Sequence, residues 1–490
     1  MKKLWYLLAL AMGMLIITSC EDDDDGPIVD PDPDPVAYDI TASTDLLAHP
    51  DYDEATSTLH FYKLNTYTLE GIIYIPSGMT LDIEEGTVIK AKEVPGESTT
   101  ALVITRGAKI MAEGTVDEPI VFTSIDDDIE NMTDLTGADN QLWGGLVLLG
   151  YAGISNKGSL TNNVEGIDPV DETTYGGTQD NDNSGVLRYV SIRHTGAELA
   201  PGDEIQGLTL GGVGSGTTIE YVESFASSDD GIEIFGGNVS IKYFAVAFSE
   251  DDCFDLDLGW QGSGQYLFAL KGATTGNAMA EWDGASPDDD PRYTSAAIAN
   301  ATFIGSGNDA SSEDNTLGMV MRDGFGGQFY NSIVTGVNGY GIEVEDLPAD
   351  KDPSGMDSYS KLEKGMIKIE SNIFWVGGNR NTFVFDPADG GAPSVINVTK
   401  DADDATGSYL SNYLEQNNNS IGDPGIMNTS RNAGAKGINP VPTNTGLVSS
   451  NLAQVPGLEN PGYKGAFDPA SQTTWMDGWT ALSQMGYIQN

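Results

Sequence analysis

The chain has 490 residues, with 23 Lys and Arg against 74 Asp and Glu, giving a formal net charge of −51. A surface this acidic repels polyanions, which argues against nucleic acid as a partner and disfavours anionic membrane headgroups. Sixty glycines and a 39% hydrophobic content point to one long β-rich architecture with a sizeable core, its acidity carried on a solvated surface rather than by disorder.

In chain order, Lys2 and Lys3 precede an apolar run from Leu4 to Ile17 that is short for a membrane span, the pattern of a secretory signal. Ile17-Thr18-Ser19-Cys20 resembles the lipobox of bacterial lipoprotein signals. Residues 1–19 are therefore expected to be a lipoprotein signal peptide and Cys20 the lipidated residue, with a plain secreted signal as the alternative. Cys253 is the only other cysteine, so lipidation of Cys20 leaves it without an intramolecular partner. Glu21 to Asp25 resembles the acidic tag that sends some Gram-negative lipoproteins to the outer face of the outer membrane, or is a charged spacer. Residues 20–35 read as an acidic Asp/Pro tether, extended and polyproline-like. The expected location is the outer membrane, facing the exterior, with the lipid anchor as the only membrane contact.

Residues 36–490 are expected to form one repetitive domain. Ile75-Pro76-Ser77-Gly78 and Glu85-Gly86-Thr87-Val88 recur as Ile104-Thr105-Arg106-Gly107 and Glu113-Gly114-Thr115-Val116. Further on, Gly207-Leu208-Thr209-Leu210, Gly231-Ile232-Glu233-Ile234 and Cys253-Phe254-Asp255-Leu256 follow one another at one-coil spacing, as do Gly318-Met319-Val320-Met321 and Gly341-Ile342-Glu343-Val344. Such spacing is one turn of a β-solenoid, whose coils bury inward side chains by stacking on their neighbours. The two-residue period places Ile232 and Ile234 inward and Glu233, Asp255 and Asp257 outward. The last ~25 residues, with Trp475, Trp479, Leu482 and Met485, are expected to form a cap over the open end, beginning at about residue 460.

The segments Trp143 to Gly150, Leu187 to His194 and Asp229 to Trp260, with Tyr463 to Phe467, Trp475 and Gly478-Trp479-Thr480, resemble a family of bacterial surface lipoproteins over roughly residues 70 to 480. The resemblance implies an all-β, right-handed, single-stranded parallel β-helix of the pectin-lyase-like type, at the cell envelope, and no established reaction.

The densest chemistry lies in Asp229-Asp230-Gly231-Ile232-Glu233 and Glu250-Asp251-Asp252-Cys253-Phe254-Asp255. A register of one coil sets Asp229 over Asp251, Asp230 over Asp252 and Glu233 over Asp255, at roughly the 4.8 Å strand spacing. Six carboxylates so close need a cation, protons or turn hydrogen bonds, and an all-oxygen donor set suits Ca²⁺. A Ca²⁺ site on these six residues is the leading expectation, and Asp pairs capping solvated coil corners are the bland one. The same run resembles two motifs of polygalacturonase-type inverting hydrolases, which implies acid and base roles for Asp230, Asp251 and Asp252. That family's Gly-His-Gly and Arg-x-Lys motifs do not follow. A polysaccharide lyase would need a Lys or Arg base, and the seven arginines form no sequence cluster. Trp260, Trp282 and Trp375 could offer flat faces for sugar stacking, Trp282 within a loop leaving the coil, or pack inward instead.

The reading at this level is a lipid-anchored surface β-helix, Ca²⁺-stabilised, acting as a binding or adhesive scaffold toward a glycan or cell-envelope partner. A polysaccharide-degrading enzyme and a purely structural envelope protein are the alternatives.

Overall fold

The computed structural model describes residues 34–93, 99–200, 203–307, 316–377, 381–385 and 394–489. The signal segment, Cys20 and most of the tether lie outside the described residues. None of the described helices is long and apolar enough to cross a membrane.

Residues Val36–Asn490 form one compact unit, and its architecture follows from the stacking predicted above. Nine strands, from Ile72–Ile75 to Glu343–Val344, make a parallel ladder in which each strand comes from the next coil. Ile232 pairs with Phe254 and Glu233 with Asp255, the register expected from the spacing of the repeats. Leu208 pairs with Ile232 in the coil before, and Met321 with Val344 toward the far end of the ladder. The inward positions Leu208, Leu210, Ile232, Ile234, Phe254 and Leu256 are buried in one continuous core. The fold is thus a right-handed parallel β-helix, all-β with a few short helices.

The remaining faces come from a larger hydrogen-bonded set of strands, parallel apart from the antiparallel pair Tyr52–Asp53 and Thr58–Phe61. Gly185–Arg193, Thr218–Phe225, Ser240–Ala247 and Ser263–Leu270 each bend where a tyrosine adopts positive φ: Tyr189, Tyr221, Tyr243 and Tyr266, at +50°, +57°, +54° and +58°. Those four rings stack on one another with centroids 4.4–4.7 Å apart. Stacking across coils offsets the left-handed backbone, which a bulky residue adopts only when its surroundings hold it there. At the start of the first bent strand Gly185 has φ +114°, and a Cβ there would sit 1.8 Å from the Ile110 carbonyl oxygen. Only glycine lets these two coils close.

The N-terminal repeat is less regular than its sequence. Ile75 pairs with Ile104 and Ile83 with Ala112, so two faces of these coils keep the spacing of the sequence repeat. Val88, however, pairs with Val121, because the turn through Gly114 to Glu118 takes up extra residues and leaves Val116 exposed. The expected equivalence of Val88 and Val116 is therefore corrected.

The end of the chain also departs from expectation. Helix Ser408–Gln416 buries Leu410 and Leu414 in the core beside the last paired strands, Ile373–Trp375 and Ser420–Ile421, and closes that end. The segment from about 460 does not cover an end. It runs back along the flank, Gly465 N–H donating to Asn331 O at 2.8 Å and Ala466 N–H to Thr302 Oγ1 at 2.9 Å. Farther on, Ala481 and Leu482 N–H donate to the Glu223 carboxylate at 2.6 and 3.1 Å. Met476, Leu482 and Ile488 pack there against Phe225, Ala247, Leu270 and Ile304. The physical reason is composition: these coils carry apolar residues outward, and that face has to be covered.

Candidate functional site: a carboxylate ladder on one sheet

On the nine-stranded sheet the outward positions change character along the helix axis. The early coils present Ala101, Val103, Val147 and Leu149, covered by Ile154, Val164, Ile167 and Tyr175 from the excursion between residues 150 and 183. Beyond Thr209 the same column becomes Glu233, Asp255 and Glu281, in register on adjacent strands. The neighbouring outward column runs Phe235, Asp257, Asp283 and Arg322. The period of two that sends Ile232, Phe254 and Trp282 inward forces these acids onto one face.

Asp229, Asp230 and Asp251 enter from the turns preceding the strands. Carboxylate oxygens of Asp229, Asp230 and Asp251 lie within 4.8 Å of one another, and so do those of Asp230, Glu233 and Asp255. Asp230 belongs to both groups. It is buried, as is Glu233, while Asp251 is the most solvent-facing of the five. Asp230 Oδ1 accepts the Asp252 N–H at 2.8 Å, and Gln206 Nε2 donates to Asp229 Oδ2 at 3.3 Å. Glu233 Oε2 and Asp255 Oδ1 are buried and find no hydrogen-bond partner among the described residues. A buried acceptor left in that state is costly, which fits a donor set built for a hard cation.

Five of the six residues expected to bind a metal are thus brought together. Asp252 falls in neither triad: it is buried, its Oδ1 accepts the Ala278 N–H, and burial raises its carboxyl well above the usual range even though the nearby Lys271 ammonium pulls it down. The trio Asp230, Asp251 and Asp252 is correspondingly not one convergent acid–base set, since Asp252 is engaged with the following coil.

Burial is the main cause of the shifted acidities. It raises Asp230 well above the usual carboxylate range, with Asp229 and Asp252 adding repulsion. Glu233 and Asp255 are raised well above theirs for the same reason, with further repulsion from Glu165 on Glu233 and from Glu233 on Asp255. Asp257 is pushed up to about 6 by burial, and Asp283 to about 8 even though Arg322 pulls it down. Arg322 is the cation of the ladder's far end. Its Nε donates to Asp283 Oδ1 at 2.8 Å, its Nη2 to Asp283 Oδ2 at 3.2 Å, and Nη2 also pairs with Glu281.

Folded-state values above the unfolded ones fix the sign of the pH response. Folding then takes up protons, so the stability these groups contribute is full below the unfolded value near 4 and is lost as pH rises through the folded value. For Asp257 alone the shift from 3.8 to about 6 corresponds to on the order of 3 kcal/mol. In chelator, the urea midpoint is expected to fall between pH 4 and 7, and Asp257→Asn is expected to flatten that fall. A midpoint that rises over this interval in wild type would contradict the assignment.

Two expectations for ligand contacts are overturned. Trp260 and Trp282 are fully buried, while Trp375 at the end of strand Ile373–Trp375 is half-buried. Trp260 Nε1 donates to Val239 O at 2.9 Å, and Trp282 packs among Phe325 and Phe329 inside the core. Neither ring offers a face to a sugar. Glu281-Trp282-Asp283 is not a loop leaving the coil but part of strand Ala280–Asp283. Here Glu281 and Asp283 extend the ladder, an extension that sequence spacing misses because a long turn separates this strand from the last. The alternation of acid, apolar residue and acid, repeated from Asp255-Leu256-Asp257, is the signal that carries it.

The family model of a pectate-lyase like beta helix domain matches residues 53–384. No curated protein and no solved structure gives a significant match. The matched region spans well over half of the chain and contains the entire ladder from Thr209 to Arg322, so the chain belongs to the pectate-lyase like β-helix family.

Proposed function

We propose that the protein is a lipid-anchored β-helix of the cell surface that binds Ca²⁺ on its carboxylate ladder and serves as a binding or adhesive scaffold toward glycans. The observation that carries this reading is the pair of oxygen triads sharing Asp230, with Glu233 Oε2 and Asp255 Oδ1 buried and unpartnered among the described residues. Asp229, Asp230, Glu233, Asp251 and Asp255 would hold the cation, which would neutralise the repulsion among them. Cys20 within Ile17-Thr18-Ser19-Cys20, followed by the acidic run, supports the anchor and the outward-facing location. Anchoring of that kind is durable when more than one acyl chain is present, each buried CH₂ contributing about 0.8 kcal/mol.

A polysaccharide-cleaving enzyme is the second reading, and the carboxyls of Asp257 and Asp283, poised at about 6 and about 8, favour it. Against it, His194 is buried with Nδ1 engaged by Asp139 O, His49 and His60 lie in the N-terminal coils, and Arg322 is committed to Glu281 and Asp283.

The test uses the full chain expressed in a Gram-negative host with labelled palmitate. Label is expected in wild type and not in Cys20→Ser, with wild type removed by protease added to whole cells. The purified full chain is then run through gels containing neutral polysaccharides, where retardation without shortening of the polymer is expected. Absence of label would remove the anchor from the proposal, and polymer cleavage would replace the scaffold by the enzyme.

A further inference from the structure

With Trp260 and Trp282 inside the core, a glycan-directed protein needs another contact surface. A pocket of ≈ 450 Å³ lies where three segments distant in sequence meet. The loop at Thr136–Ala138 forms one wall, the coil turns carrying Phe248, Glu250 and residues 272–275 form a second, and Arg431–Ala433 with Tyr487 from the returning C-terminal segment form the third. Its volume falls within the range of about 300–1,000 Å³ usual for small-molecule sites.

The lining states what it can hold. Arg431 donates through Nε to Lys271 O and through Nη2 to Gly305 O, so its guanidinium is engaged with backbone rather than offered to an anion. Glu250 is the carboxylate on the wall, and the chain as a whole is strongly negative. Phosphates and uronates are therefore disfavoured occupants. The rest is apolar surface interleaved with neutral hydrogen-bonding groups. Tyr487 Oη accepts the Gly137 N–H at 2.9 Å, which leaves its hydroxyl hydrogen to donate. Thr136 Oγ1 donates to Asp139 Oδ2 at 2.8 Å and accepts the Ala138 N–H at 3.3 Å, which leaves one lone pair to accept. Ala273 and Thr274 are exposed on the rim. Apolar patches alternating with hydroxyl, amide and carboxylate groups match a sugar ring, whose faces are apolar and whose edge carries hydroxyls.

We propose that this pocket is a binding site for a neutral sugar residue, such as the terminal unit of an uncharged glycan. The inference rests on the glycan-directed reading given above and locates it away from the carboxylate ladder, between the solenoid and the returning C-terminal segment.

The experiment is saturation-transfer difference NMR on the full chain, with a panel of methyl glycosides of neutral hexoses and of one uronic acid as probes. The comparison runs over wild type, Ala273→Trp, Thr274→Trp and Asp230→Asn. Both tryptophan variants fill the pocket from exposed rim positions, and melting curves check that each is folded. Expected are transfer to at least one neutral glycoside and none to the uronate, a tenfold or greater loss of affinity in both tryptophan variants, and full retention in Asp230→Asn. If wild type binds and the folded tryptophan variants bind equally well, the pocket assignment fails while the glycan-directed reading stands. Loss in Asp230→Asn alone would move the sugar to the ladder. If no neutral glycoside binds wild type, both the pocket and the glycan-directed reading fall.

Discussion

Asp230→Asn is expected to raise the unfolding midpoint of the metal-free protein and to remove most of the rise that Ca²⁺ gives to wild type. Both effects come from one position, since Asp230 is the carboxylate common to the two oxygen triads. Without a cation, its neighbours Asp229, Asp252 and Glu233 repel it in a buried setting, and an amide of the same shape relieves that repulsion while still accepting the Asp252 N–H. With a cation at 100 times its dissociation constant, wild type gains about 2.7 kcal/mol, and the variant lacks the charge that both triads require. The comparison is made by calorimetry of the full chain in EDTA and in millimolar Ca²⁺. Wild type and variant melting alike under both conditions would mean that the carboxylates are held by protons rather than by metal.

The second large effect concerns the contact that fastens the C-terminal segment to the flank. Arg193 and Glu223 are both fully buried. Ser191 Oγ bridges them, accepting from Arg193 Nε at 2.8 Å and donating to Glu223 Oε2 at 2.7 Å. Glu223 then takes the N–H groups of Ala481 and Leu482 at the start of helix Ala481–Gln484, and Arg193 Nη2 reaches Gln484 Oε1 at 2.7 Å. Burial raises the Glu223 carboxyl, and the Arg193 charge pulls it back. Arg193→Met leaves that carboxylate without its counter-charge, at an expected loss of about 3–5 kcal/mol. Limited proteolysis should then release the C-terminal segment before the solenoid is cut. Adding Glu223→Gln should restore part of the loss, a coupling that a double-mutant cycle in urea measures. Additive losses, or an Arg193→Met protein as stable as wild type, would show that apolar packing alone holds the segment.

How much of this can be seen in the sequence depends on whether neighbouring coils share a length. Between Leu208 and Leu256 the turns are of nearly constant size, so the spacing of the repeats by itself places Glu233 over Asp255. Where a turn lengthens, as between Leu270 and Met279, the equivalence of Asp255 and Glu281 disappears from the spacing and survives only in the alternation of acid and apolar residues. Trp282 misleads for a related reason. An aromatic flanked by acids resembles an exposed loop in sequence, but in a strand of period two the flanking acids are what turn the ring inward. The placement of the last residues is not legible at all. Apolar side chains on the outer face, such as Phe225, Ala247 and Leu270, need a cover, and no local pattern says which distant segment supplies it.

The route of that last segment changes the order in which the protein can be completed. A solenoid whose coils touch only their neighbours can assemble progressively from its first coil as the chain emerges. In this protein the Glu223 carboxylate of a middle coil waits for backbone donors 258 and 259 positions later. The coils around it therefore stay open on one side, with Phe225 and Leu270 uncovered, until the final residues arrive. A chain cut short just before Ala481 would keep every coil and still be unfinished in its middle, so wholeness of the C-terminus acts as a checkpoint on the entire fold.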